Sequence, residues 1–180
     1  MIGSLVRALA VLTLFSVSTE PLWAQASGAA RADYLHAVAA FFNLPPNEVG
    51  ILSDWEVSAD EIPVVLFMAR RAGVSPEALV ALRESGQGWG VLAERYRVHA
   101  AALHVPISDE APAGRLETAY RQYRSTPVAE WTTIRLTDDD IIALVNVRFI
   151  SQSLKLPAER VLANTVGMVS FVELHARLRR

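Results

Sequence analysis

The acidic triplet Asp138, Asp139 and Asp140 is the densest cluster of chemically capable side chains in the sequence. Clustered carboxylates are typical ligands of hard cations such as calcium and magnesium. Consecutive residues of a helix point in different directions, however, and the other ligands of a calcium loop do not follow at the required spacing. We therefore interpret the triplet as negative charge placed at the positive N-terminal end of a helix.

The histidines do not suggest a metal site or a catalytic pair. The closest two are spaced i and i+5, which does not match the i, i+4 pairing of helical zinc ligands. The sequence also has no glycine-rich phosphate loop after a strand, no G-x-S-x-G nucleophile elbow and no acid pair with a partner base. These patterns predict a non-catalytic protein without a metal or a cofactor. Surface or packing roles are assigned to His36, His99, His104 and His175.

Three tryptophans are the remaining candidates for a binding surface, because aromatic side chains dominate recognition hot spots. A tryptophan near a helix start also commonly fills space between neighbouring helices. Both interpretations apply to Trp55, Trp89 and Trp131, so a binding surface formed by these residues is a hypothesis to be tested on the structure.

An internal repeat predicts how these candidates are positioned. The letters V-S-P-E-A-L at Val74 return as L-P-A-E-R-V at Leu156, an offset of 82 residues that also pairs Trp89 with Phe171. Further upstream the offset falls to 79 residues, and a shorter echo, L-P-P-N-E-V at residues 44–49, predicts the start of a similar short helix. Such self-similarity predicts a protein built from two diverged copies of one structural unit.

Each copy is predicted to contain three helices. The first begins at a capping box, S-x-x-E at residues 58–61 or T-x-x-D at residues 137–140. The segments that follow, 62–68 and 141–150, are apolar on nearly every side, which predicts burial. The second helices begin at Pro76 and Pro157, and the third carry Trp89 or Phe171. We expect each of these two rings to pack against the long apolar helix of its own copy.

The predicted fold class is all-α, a small helical domain of two diverged three-helix units around the two central apolar helices. No segment shows the sustained alternation that predicts a strand. Residues 27–105 form the first unit together with an N-terminal helix at 29–42, and residues 135–180 form a second unit packed on the first. Residues 106–134, rich in proline and charge, are predicted to be a polar, partly mobile connector.

Residues 1–26 have the pattern of a secretory signal peptide. Arg7 supplies the positive start, an apolar run follows at residues 8–17, and Ala24 and Ala26 are the small residues that signal peptidase recognises. Cleavage is expected after Ala26. The apolar run is shorter than the ~20 residues of a spanning helix, so we predict no stable membrane span after cleavage. The predicted location is periplasmic or secreted.

Composition narrows the classes of function further. The chain of 180 residues has no cysteine, which excludes disulfides, thiol chemistry and lipid attachment through a cysteine. Its net charge of −2 gives no large field of either sign. Charge alone therefore does not indicate a nucleic-acid partner or an anionic membrane.

Residues 82–98, L-R-E-S-G-Q-G-W-G-V-L-A-E-R-Y-R-V, resemble the helix-turn-helix segment of bacterial regulators, whose pattern runs L-R-x-x-G-x-S-W-x-x-I-A-x-x-x-x-V. That resemblance implies DNA reading by the next helix. Here residues 99–104 would form it, and they lack the Arg, Lys, Asn or Gln that contact base edges. We predict no nucleic-acid partner. DNA binding is the alternative if the N-terminus is not a signal peptide.

The signal peptide and two blocks of sequence resemble a group of exported bacterial proteins of uncharacterised function that carry two copies of a helical repeat. The blocks are I-P-V-V-L-F-M-A-R-R-A-G-V-S-P-E at 62–77 and L-T-D-D-D-I-I-A-L-V-N-V-R-F-I-S at 136–151. The resemblance implies a helical fold and export, and it implies no activity. The predicted function is non-catalytic binding of an unknown macromolecular partner, or self-assembly. A further alternative is an enzyme with an unrecognised site, in which buried charged groups would titrate abnormally.

Overall fold

The computed structural model describes residues 22–45 and 48–180 of the chain. The prediction of an all-α fold is confirmed, since these residues form helices and no strand. Short 3-10 helices occupy Ala59–Glu61, Gly114–Leu116 and Val128–Thr133. The α-helices are α1 (Leu22–Phe41), α2 (Val49–Asp54), α3 (Ile62–Ala72), α4 (Pro76–Glu84), α5 (Trp89–Arg95), α6 (Ala100–Leu103), α7 (Glu117–Ser125), α8 (Asp138–Leu154), α9 (Ala158–Ala163) and α10 (Phe171–Leu178).

Helices α3 and α8 contact each other in the hydrophobic core. All of residues 62–69 in α3 are buried, and so are most of residues 141–150 in α8. Each fully buried aliphatic or aromatic side chain contributes about 1.5–3 kcal/mol relative to its exposed form. Both helices extend beyond the predicted apolar segments. Pro63 lies in the first turn of α3, where its missing N–H costs no helical hydrogen bond.

Both predicted capping boxes are confirmed. The Glu61 carboxylate accepts hydrogen bonds from the Ser58 N–H at 3.2 Å and from its hydroxyl at 2.9 Å. At the start of α8 the Asp140 N–H donates to the Thr137 hydroxyl at 3.1 Å, and the Asp140 carboxylate accepts from the Thr137 N–H at 3.0 Å. Such caps typically contribute about 1 kcal/mol each to stability.

The segment predicted as a polar connector supplies part of the core. Leu116 is fully buried before α7, and Tyr120 and Tyr123 are buried within it. The Tyr123 hydroxyl donates to the Ala100 carbonyl at 2.9 Å, and the Tyr120 hydroxyl donates to the Val105 carbonyl. The apolar rings of these tyrosines therefore enter the core while their polar ends are satisfied by backbone acceptors.

Helix α1 begins at Leu22, inside the predicted signal peptide, and Ala24 and Ala26 lie in its first turns. The positive start and the apolar run of that peptide lie outside the described residues. Among the described helices, none is both long enough and apolar enough to cross a membrane. Cleavage after Ala26 would shorten α1 and leave Tyr34, whose ring packs against Phe149 of α8 and His175 of α10.

A buried polar network joins α1, α8 and the 3-10 helix before α3. The Tyr34 hydroxyl donates to the Asn146 side-chain oxygen. The Asn146 amide donates in turn to the Asp60 carbonyl and to the Ile142 carbonyl, both at 2.8 Å. Because buried polar groups are costly without partners, this network favours one arrangement of the three elements.

Candidate functional site

The three candidate tryptophans lie in different surroundings and do not form one surface. Trp89 is 0% exposed, so it has no surface to offer a partner. Trp131 is half-buried, and its ring packs against His104 at 4.3 Å and Tyr123 at 5.0 Å between ring centroids. Trp55 is half-buried at the end of α2 and borders a cavity. Of the three, Trp55 has the surroundings of a binding residue.

Trp55 also differs from the other two in its indole N–H. Trp89 Nε1 donates to the Glu61 carboxylate at 2.9 Å, and Trp131 Nε1 donates to two backbone carbonyls at 3.2 and 3.0 Å. Among the residues that the structure describes, the Trp55 N–H has no hydrogen-bond partner, and it is not buried. It is therefore available to donate to a bound molecule.

An apolar groove runs beside Trp55 between α2, α3 and α4. It consists of two adjoining cavities of about 200 and 260 Å³. Ile51, on α2, is an apolar wall residue that is 47% exposed. We call this concave surface the Trp55 groove. Its main apolar lining is Leu44, Ile51, Leu52, Trp55, Leu66 and Pro76.

Local sequence features place the two walls of the groove. Trp55 follows α2 in an extended backbone conformation, which ends the helix before the chain turns toward the core. On the opposite wall, Gly73 ends α3 with φ of 69°, a left-handed conformation that glycine adopts without strain. The Ser75 hydroxyl then caps α4 by accepting from the Ala78 N–H at 3.3 Å. This turn brings Pro76 back beside α3.

The acidic triplet serves helix starts in the structure. Asp138 accepts from the Gly90 N–H of α5 at 3.0 Å and lies 3.4 Å from the Arg83 guanidinium. Asp140 caps its own helix, and Asp139 is exposed. Across the described chain, no three histidine or acidic side chains are grouped so as to hold a metal ion.

Asp60 is a second acid that caps a distant helix. Its carboxylate accepts from the Phe171 N–H at 2.9 and 3.0 Å and from the Val172 N–H at 3.2 Å, at the start of α10. Burial raises the pKa of Asp60, although these backbone bonds favour its charged form. The raised pKa of Asp60 is thus explained by its burial, and the N–H groups at the start of α10 act in the opposite direction.

Glu61 is an acid shared by three donors. Burial disfavours its charged form, but hydrogen bonds from Arg83, Trp89 and Ser58 together hold the pKa of this carboxylate below its ordinary value. The Arg83 Nε lies 2.7 Å from Glu61 Oε1. Glu61 therefore joins the start of α3 to α4 and α5, and its titration also has a packing explanation.

His175 is a buried histidine on α10, 1% exposed. Its ring stacks on Phe149 with centroids 5.9 Å apart and meets the Tyr34 ring edge-on at 5.7 Å. Its buried Nδ1 has no hydrogen-bond partner within the described part of the chain. Burial lowers the pKa of His175, the charge of Arg179 lowers it further, and Asp33 opposes the shift.

Two open clefts border His175 along the seam between α1 and α10. They measure about 310 and 400 Å³, and both touch the ion pair in which Arg179 lies 2.8 Å from Asp33. The remaining histidines are separate from this seam except for His36, which is exposed on α1 beside the larger cleft. Charged residues of both signs, Asp33 and Arg179, line this seam.

The segment resembling a helix-turn-helix is packed into the rest of the chain. The helix that would read DNA, α6, spans only four residues, and Ala100 and Leu103 within it are buried. The Arg148 guanidinium donates to the carbonyls of Ala102 at 3.0 Å and His104 at 2.7 Å. These hydrogen bonds hold α6 against α8, so little of α6 is available to enter a DNA groove.

No protein-family model, curated protein or solved structure matches the chain. The resemblances to exported bacterial proteins and to helix-turn-helix segments therefore stay predictions. The case for a binding site depends on the geometry of the Trp55 groove itself.

Sequence reasoning singled out Trp55 but missed the residues that make its surroundings concave. Ile51, Leu66 and Pro76 come from three separate helices, and only the folded chain brings them together. The short echo at residues 44–49 did predict a helix near Trp55, and α2 begins at the end of that stretch. It carried no information on which side chains remain exposed.

Proposed function

We propose that the protein is exported and acts without catalysis, by binding another macromolecule in the Trp55 groove. In this proposal residues 1–26 are a cleaved signal peptide and the mature protein is periplasmic or secreted. Its body consists of two diverged copies of a helical unit. Similar caps on α3 and α8 and buried aromatic residues at the starts of α5 and α10 support that description.

The surroundings of Trp55 are the main support for this proposal. A half-buried indole whose N–H has no partner among the described residues, set beside an exposed isoleucine and an apolar groove, combines the features of an interface anchor. Tryptophan is enriched among residues that dominate binding energy, because it offers a large apolar ring and one polar donor.

The open shape of the groove favours a macromolecular partner over a small molecule. Sites for drug-sized ligands usually measure about 300–1,000 Å³ and bury most of the ligand surface. The two cavities of the groove, about 200 and 260 Å³, reach that volume only together, and both are open to the surface. Each has room for an apolar side chain that projects from a larger partner.

Site-specific photo-crosslinking in the native cell tests the proposal. The full-length protein is expressed with a photoreactive amino acid in place of Ile51, and the N-terminus of the mature product is sequenced. We expect a start at Ser27 and a discrete adduct formed at position 51. The adduct should be lost with Trp55→Ala, and the purified adduct partner should bind the Trp55→Ala protein about 30-fold more weakly, as expected for an anchor of about 2 kcal/mol.

The same photoreactive group in place of Val91 is the matched control, because Val91 is 59% exposed and lies on α5, away from the groove. Equal adducts from both positions would contradict the proposal, as would an adduct that persists in Trp55→Ala. An adduct with the mass of two chains would identify self-assembly as the use of the groove. A mature protein that begins at Met1 would contradict export.

A further inference from the structure

We propose that the partner of the Trp55 groove presents an apolar segment with a lysine or arginine beside it. This inference rests on the proposed function of the groove and adds the chemistry of the partner. It follows from the distribution of charge around the apolar floor, which differs between the two ends of the groove.

The Trp55 end of the groove has an acidic rim. Glu48 and Glu77 line the cavity that contains the indole, and the exposed side chains of Asp54 and Glu56 flank Trp55 in the sequence. In the described part of the chain none of these four acids forms an ion pair, and no lysine, arginine or histidine lines this cavity.

The other end of the groove carries a cation that is already engaged. Arg70 lines the second cavity, where its guanidinium donates to the Phe42 carbonyl at 2.6 Å and lies 5.3 Å from the centre of the Phe42 ring. These contacts hold Arg70 at the end remote from Trp55. The groove is therefore polarised: the acids at one end form no ion pair with the described residues, and a fixed positive charge lies at the other end.

This polarity favours one class of partner. Interfaces match charge of opposite sign across the contact, and like charges placed together are rejected. A lysine or arginine of the partner would meet Glu48 or Glu77, and its cationic head would lie near the Trp55 ring, an arrangement that cation–π attraction also favours. Neighbouring apolar side chains of the same segment would occupy the two cavities.

Synthetic peptides test the inference on the purified mature protein. Three labelled peptides of equal length combine leucine with lysine, leucine with glutamate, and serine with lysine, and fluorescence anisotropy measures their binding. We expect the leucine–lysine peptide to bind about tenfold or more tightly than either of the others. Its affinity should fall with added salt, because screening weakens attraction between exposed charges.

A charge-neutralised pair of variants locates the effect. Glu48→Gln with Glu77→Gln should remove most of the preference for lysine over glutamate. Asp109→Asn with Glu110→Gln is the matched control, since it removes the same number of charges from exposed positions outside the groove lining, and it should keep the preference. The thermal midpoint of each variant is measured to confirm folding.

The outcomes separate this inference from the proposed function. If the lysine and glutamate peptides bind equally well and both require Trp55, the groove binds peptides and the basic partner is wrong. A preference that survives Glu48→Gln with Glu77→Gln, or the absence of binding by any peptide, also overturns the basic partner. If the serine–lysine peptide binds as well as the leucine–lysine peptide, or Trp55→Ala binds normally, the apolar groove itself is not the binding site and both proposals fail.

Discussion

Helices α5 and α10 begin 82 residues apart, at the offset of the predicted repeat, yet different contacts hold them. The aromatic residue that begins each helix is buried, with Trp89 0% and Phe171 2% exposed. The Trp89 N–H needs an acceptor in the core and finds Glu61, whereas Phe171 carries no polar group. Both helices therefore begin with a buried aromatic ring. The polar contacts around that ring differ between α5 and α10.

The starts of the two helices show the same contrast. Ser170 caps α10 through its hydroxyl, which accepts from the Glu173 N–H at 3.2 Å. Gly88, the corresponding residue before α5, has no side chain to do so, and Asp138 from the other segment accepts from the Gly90 N–H instead. A Cβ atom at position 88 would lie 3.0 Å from that carboxylate. Because Gly88 has no side chain, the Asp138 carboxylate has room to cap α5.

The expectation that each ring packs on the long helix of its own segment holds only in part. α10 contacts α8, which belongs to its own segment, and also α1. α5 packs against α8 as well, which for α5 is the long helix of the other segment. Trp89 reaches its own segment through the bond to Glu61 just before α3. The two segments therefore share one core.

Truncation of the two rings is the strongest test of their equivalence. Trp89→Ala and Phe171→Ala should each destabilise the protein by about 3–5 kcal/mol, the range for deletion of a large buried aromatic side chain. We expect the larger loss for Trp89, because Glu61 also loses a donor. Urea unfolding gives both values, and Val91→Ala on the exposed face of α5 should stay within about 0.5 kcal/mol of the parent.

The substitution Trp89→Phe separates the two contributions in α5. It keeps most of the ring volume and removes the N–H, so it should cost about 1.5–3 kcal/mol, the contribution of a hydrogen bond to a charged group. An unchanged free energy of unfolding for either alanine variant would show that the two rings are not equivalent.

Local features of the fold were readable from the sequence. The caps at residues 58–61 and 137–140 and the proline at the start of α4 depend on neighbours along the chain, and each is found as predicted. Residues 106–134 were predicted to be a polar connector from their proline and charge content, and composition could not indicate that Tyr120 and Tyr123 are buried. The caps that Asp60 and Asp138 provide to distant helices depend on tertiary structure alone.

Only one residue of the candidate site could be identified from the sequence. Trp55 was named because its type suits recognition, but Trp89 and Trp131 were named with it on the same grounds. Their indole N–H groups turned out to be paired inside the structure. Whether a tryptophan packs or binds depends on acceptors that come from distant positions, as Glu61 does for Trp89.

The two distant caps should differ in strength. Asp60→Ala leaves the Phe171 and Val172 N–H groups of α10 without their acceptor, so we expect a loss of about 1–2 kcal/mol. Asp138→Ala removes the acceptor of one N–H in a more exposed place and should cost about 0.5–1 kcal/mol. Thermal unfolding of both variants compares them, and a larger loss for Asp138→Ala would reverse the proposed order.

The smallest expected difference between the two segments is a loss of stability on acidification. His175 corresponds to Ala93 at the offset of 82 residues, so α10 carries a titratable group where α5 carries none. The pKa of His175 is lowered from 6.5 by burial. The folded protein therefore binds fewer protons than the unfolded chain, and stability should fall as the pH drops below 6.5 toward the lowered pKa, by at most about 1.4 kcal/mol per pH unit.

Urea titrations across this pH range, on the parent and on His175→Phe, test the assignment. The variant keeps a ring beside Phe149 and should lose its share of the slope, while a remainder is expected from His104, whose pKa burial also lowers. Asp33 favours the charged form of His175, so Asp33→Asn should lower the pKa of His175 further. The loss of stability should still begin near pH 6.5 but extend to lower pH and become larger in total. A slope that persists in full in His175→Phe would assign the acid sensitivity to other groups and would remove this difference between α10 and α5.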